Sequence, residues 1–161
     1  MLKHQAMTKV PANLNKTAFR TLMSSTLNPH SALIYVMVVV SASDAIMSDA
    51  ELHAIGDIVR SVRVFEGFDE NKIIPVASEC GAILQEREGL NAVLGLVKEA
   101  LSPHLRETAY ALALDIALAD APVLAEENRV LQRLKNELGI DRLVAAALER
   151  AAIVRHYRAT A

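Results

Sequence analysis

Residues 32–40, Ala-Leu-Ile-Tyr-Val-Met-Val-Val-Val, decide the fold because they read two ways. Ile34, Val36, Val38, Val39 and Val40 are β-branched, and such a run taken alone suits a buried strand. Upstream, however, Asn28-Pro29 is a helix start. Asn is a good N-cap, and Pro fits the first helical position, where no N–H is needed. The same device recurs at Ser102-Pro103, ahead of residues 110–119, YALALDIALA, whose Ala and Leu favour helix. Two runs with one kind of entry and one kind of exit should share a conformation. Both are expected to be helices, apolar on nearly all sides and central in the fold.

The shared exit is an acidic elbow. Asp44-Ala45-Ile46-Met47-Ser48-Asp49-Ala50-Glu51 is the first copy, and Asp120-Ala121-Pro122-Val123-Leu124-Ala125-Glu126-Glu127 the second. In each, an Asp closes the apolar run and a Glu follows seven residues later. A second amphipathic segment comes next. After the first elbow, Leu52, Ile55, Ile58, Val59, Val62 and Phe65 keep helical spacing up to Gly67; after the second, Leu131, Leu134 and Leu138 do so up to Gly139. A glycine suits each helix end, and Asp69 and Asp141 are then placed to cap the next helices.

The matches Asp44/Asp120, Glu51/Glu127, Gly67/Gly139 and Asp69/Asp141 amount to an internal repeat. The fold class that follows is all-α: a pseudo-symmetric helical bundle of two repeated helix–elbow–helix units with inserted helices. The insert holds Asp69 to Gln85, with a kink or break at Pro75, and Arg87 to Leu101 with Leu90, Val93, Leu94, Val97 and Leu101 on one face. A last helix, Asp141 to about Tyr157, is expected to turn Leu143, Val144, Ala147, Leu148 and Ile153 inward. Residues 1–28 form a basic arm, with a short helix expected from Thr17 to Leu27, and residues 29–161 form the helical domain.

Composition narrows the function classes. The chain of 161 residues can bury a core as one domain, and with 4 % aromatic residues and no Trp that core is aliphatic. A single cysteine, Cys80, excludes an internal disulfide and a cysteine-based zinc site; reduced cytosol is the simplest compartment. The uncharged stretch from Ser31 to Ser43 is shorter than the roughly 20 apolar residues a membrane helix needs. The N-terminus lacks the apolar core of a secretory signal. Residues 1–28 carry four bases and no acid, and Arg150, Arg155 and Arg158 follow the body. Residues 29–149 hold ten bases against nineteen acids, a net of −9. An acidic body argues against nucleic acid and leaves room for a cation or a basic partner.

Each elbow has a structural and a functional reading. Ser48-Asp49-Ala50-Glu51 is a capping box, and Asp49 and Glu51 suit the positive end of a helix. In the second copy Leu124 replaces Ser48 and has no side-chain oxygen to cap with, yet Glu127 is kept. Asp44 and Asp120 each end a helix, where a negative charge opposes the dipole. If the repeat brings the elbows together, Asp44, Glu51, Asp120 and Glu127 form a four-carboxylate site, with Asp49 and Glu126 as secondary acids. Oxygen-only ligands point to calcium, magnesium or manganese rather than zinc. The spacing is not that of an EF-hand.

The stretches SALIYVMVVVSASDAIMSDAELHAI and LRETAYALALDIALADAPVLAEENRVLQRL resemble the TerB-like tellurite-resistance family, over about residues 29–155. The resemblance implies an all-helical fold of two repeated halves with acidic surface sites and divalent-metal binding. It also implies a non-catalytic role in tellurite or general stress response, through protein partners near the inner membrane. Ala45 and Ala121 stand where the family usually has Gly.

Two alternatives stay open: a metal-assisted enzyme using the same carboxylates, and a structural module whose acids only cap helices. No His-x-x-x-His pair, glycine-rich phosphate loop or nucleophile elbow supports catalysis. His4, His30, His53, His104 and His156 read as surface or partly buried residues, and Cys80 as a small core residue. Asp115 interrupts the second apolar run; it either faces an arginine such as Arg106 or lines an acidic cleft.

Overall fold

In a computed structural model, which describes residues 27–41, 47–119, 123 and 125–159, the decisive run is helical. Helix α1 spans Pro29–Ser41. Asn28 Oδ1 accepts the Ser31 N–H at 2.9 Å, so the expected cap forms. Every residue from Ser31 to Ser41 is buried. The five β-branched side chains are tolerated in a helix because neighbours surround them on all sides, and packing outweighs a propensity loss of a few tenths of a kcal/mol each.

The described residues form seven α-helices and no strand. After α1 come α2 (Asp49–Ser61), α3 (Ile73–Leu84), α4 (Gly89–Ala100), α5 (Pro103–Ala119), α6 (Ala125–Leu138) and α7 (Arg142–Arg155), with short 3₁₀ turns at Arg63–Phe65 and Glu70–Lys72. The all-α class expected from the sequence is the class observed. Helix α1 is the hub and packs against α3, α4, α5 and α6. The helices after the elbows cross over: α2 touches α5 as well as α1, and α6 touches α1 as well as α5.

Three boundaries differ from expectation. Helix α2 stops at Ser61, because Val62 is extended (φ −98°, ψ 126°), and Phe65 reaches the core from a 3₁₀ turn. Gly67, at φ 82°, closes that turn rather than the helix. The segment from Asp69 also begins as a 3₁₀ turn: Asp69 Oδ1 accepts the Asn71 N–H at 3.0 Å, and α3 starts at Ile73. Pro75 falls in the first turn of α3, where its missing N–H has no intrahelical partner to lose.

Gly139 behaves as expected. At φ 66° it lets the Ile140 N–H reach Lys135 O at 3.1 Å and its own N–H reach Asn136 O at 3.2 Å, the two bonds of a Schellman end. Asp141 Oδ1 then caps α7, accepting from Leu143 and Val144.

The inward face of α7 is not the expected one. Ala145 and Ala152 are buried and Leu148 is half-buried, whereas Leu143 is 82 % exposed, Ile153 40 % and Ala147 exposed. The helix carries two apolar faces, and small alanines form the one that seats closely on α5. The basic arm, with its expected helix from Thr17 to Leu27, lies outside the described residues except for Leu27 and Asn28.

Candidate functional site

The first elbow enters α2 through a complete capping box. Glu51 N–H donates to Ser48 Oγ at 3.3 Å, and Glu51 Oε2 accepts the Ser48 N–H at 2.6 Å and its hydroxyl at 2.8 Å. One carboxylate oxygen of Glu51 therefore already serves two donors. Asp49, exposed in the same turn, faces the positive helix end. At this elbow capping accounts for Glu51, and the helix dipole favours Asp49.

Glu126 and Glu127 occupy the first turn of α6, Glu126 exposed and Glu127 half-buried. Residue 124, a leucine, supplies no capping oxygen. Asp44 and Asp120, the two aspartates of the four-carboxylate constellation, lie outside the described residues. Among the described residues no group of three or more His, Cys, Asp or Glu side chains is placed to hold a metal ion. Carboxylate oxygens suit a hard cation, and at this locus such an ion would need Asp44 or Asp120 beside the glutamates.

Other titratable groups tie helices together. Asp115 faces Arg155, with Oδ1 to Nη2 at 2.6 Å, and His156 Nε2 approaches the same oxygen at 3.4 Å. Arg106 goes elsewhere: it donates to Leu101 O at 3.1 Å and Lys98 O at 2.7 Å, satisfying carbonyls at the end of α4. Of the two expectations for Asp115, an arginine partner is observed, but from α7 and forty residues away in sequence.

Glu149 was not singled out by the sequence, yet it joins three helices. Its Oε1 accepts from Tyr110 Oη at 2.8 Å and from Lys135 Nζ at 3.2 Å, linking α5, α6 and α7. Burial, with the bond to Glu149, pushes the Tyr110 phenol above its ordinary range. The Tyr35 phenol is pushed up by burial and by Glu79, and the Cys80 thiol by burial foremost. Cys80 is fully buried, as a core residue should be. No local spacing marks the Tyr110–Glu149 pair, which is why periodicity passes over it. His30 is partly buried, donating Nε2–H to Val64 O at 2.9 Å with its ring 5.4 Å from that of Phe68. His53 and His104 are exposed.

The family model described as Tellurite resistance protein TerB matches residues 30–150. The chain belongs to the TerB family. The TerB match opens in the first turn of α1 and closes within α7, so it takes in both elbows and the inserted helices between them. No curated protein and no solved structure gives a significant match. Among the described residues of this TerB-family chain, no helix is long and apolar enough to cross a membrane.

Proposed function

We propose that this TerB-family chain is a non-catalytic module of the tellurite-resistance type, working in stress response in the cytoplasm. Its acidic elbows take a divalent cation (calcium, magnesium or manganese), with a protein partner as the alternative occupant. The second elbow is the principal locus. The observation that carries this reading is the recurrence of the acids: Glu127 stands half-buried in the first turn of α6, seven residues after Asp120, as Glu51 stands in the first turn of α2, seven residues after Asp44. Asp120 and Glu127 are then the expected donors, with Glu126 beside them and Asp44 and Glu51 as the matched pair. The reciprocal packing of α2 on α5 and α6 on α1 supports reading the two halves as one repeated unit.

Calcium and manganese titrations, followed by heat and by melting temperature, test the proposal. Saturable binding that Asp120→Asn removes supports it. Binding unchanged in Asp120→Asn and Glu127→Gln would place the ion elsewhere. Metal-dependent turnover abolished by Asp120→Asn would replace the module with an enzyme.

A further inference from the structure

We infer that the outward face of α7 is a docking surface for an amphipathic helix of another protein, one that brings carboxylates to an apolar face. Leu143, Ala146, Ala147, Ile153, Val154 and Tyr157 share this face, recurring at three- and four-residue spacing along α7 and just past its end. Leu143 is 82 % exposed, Tyr157 65 %, Val154 44 % and Ile153 40 %. Four of the chain's five large exposed hydrophobic side chains among the described residues therefore stand in one row. From Leu143 to Val154 the row runs about 16 Å, the length of three helical turns.

Charge selects the occupant. Arg150 lies in the middle of the row, within 3.4 Å of Tyr157 Oη, and Arg142 and Arg158 flank it; none of the three forms an ion pair among the described residues. The one acid inside α7, Glu149, is turned to Tyr110 and Lys135. An all-apolar partner would bury the Arg150 charge uncompensated, which is strongly unfavourable. A carboxylate opposite Arg150 meets a planar fork that matches it.

The other occupants fit less well. A second copy docked antiparallel about the centre of the row would set Arg150 against Arg150, since that residue is midway between Leu143 and Tyr157. The chain's own residues 1–26 carry four bases and no acid, so they repel the same arginines. A lipid surface calls for a bulky apolar ridge and a cluster of about four to eight bases. Here two of the exposed apolar members, Ala146 and Ala147, are small, which leaves room beside Arg150 for the side chains of a facing helix.

The surface is separate from the elbows and stands or falls independently of them. Its test uses two labelled helical peptides with leucines at three- and four-residue spacing, one flanked and centred by Glu and the other by Lys. Fluorescence anisotropy, with amide chemical-shift mapping, should show the Glu peptide bound along α7 and the Lys peptide not. Arg150→Glu should weaken the Glu peptide at least about tenfold and bring in the Lys peptide. Leu143→Asp should weaken the Glu peptide as well, both variants keeping the wild-type helical circular dichroism. Absence of Glu-peptide binding, equal binding of both peptides, or shifts away from α7 would overturn the inference. So would dimerisation through this face, or preferential binding of phosphatidylglycerol vesicles.

Discussion

Glu51 and Glu127 hold the same place in two elbows of matched sequence, and the serine that completes a capping box with Glu51 is a leucine in the second copy. The Ser48–Glu51 box satisfies two backbone donors at the start of α2, and Ser48→Ala should cost about 1 kcal/mol of stability in urea unfolding. Glu127→Gln should change stability by less than that and remove the response to cation. A loss of several kcal/mol in Glu127→Gln would instead mark a structural residue. Tyr110 permits a sharper test. Its phenol keeps its proton in the fold to higher pH than in the unfolded chain, where it ionises near pH ~10. Above that pH the unfolded state binds fewer protons than the native state, so stability falls as pH rises. Tyr110→Phe should lower stability at neutral pH by about 1 kcal/mol, for the lost bond to Glu149. It should also flatten the alkaline decline, and an unchanged slope would show that the phenol ionises equally in both states.

At the level of helices, α3 and α4 meet where only glycine fits. A Cβ on Gly89 would lie 2.2 Å from Ile83 O and 2.7 Å from Leu84 Cα, both backbone atoms that cannot swing aside. Gly89→Ala should therefore destabilise the protein by about 1–3 kcal/mol. Gly81, inside α3, has nothing within 4 Å of a built Cβ, so Gly81→Ala should stabilise by about 0.5–1 kcal/mol. Equal effects at the two sites in thermal or urea unfolding would contradict this close approach. The starts of α1, α2 and α7 are legible because their chemistry is local. Asn28, Ser48 and Asp141 cap as their residue types dictate. Val62 was not legible as a break, because its periodicity continues that of α2 while its backbone turns extended. Helix α7 misled for a different reason. Leucine and isoleucine outrank alanine as core residues, yet close seating on α5 selects Ala145 and Ala152.

In the whole molecule, α1 is the buried axis, and burial from Ser31 to Ser41 explains why a valine-rich run can serve as one. Residues 32–40 and 110–119 share a kind of entry and exit, which implies one conformation, and both runs are helical. The candidate site was legible only as a set of acids. Nothing in the spacing shows that Glu51 spends an oxygen on Ser48, that Asp115 meets Arg155, or that Glu149 joins three helices. Those are long-range pairings, fixed by packing rather than by local sequence.

The central claim is that the second acidic elbow of this TerB-family chain takes a divalent cation. The most direct measurement is the melting temperature against calcium or manganese concentration, wild type beside Glu127→Gln. A saturable rise is expected in the wild type, worth about 2.7 kcal/mol at a hundredfold excess over Kd, and its loss in the variant. No shift and no heat on titration, or the same shift in both proteins, would contradict it.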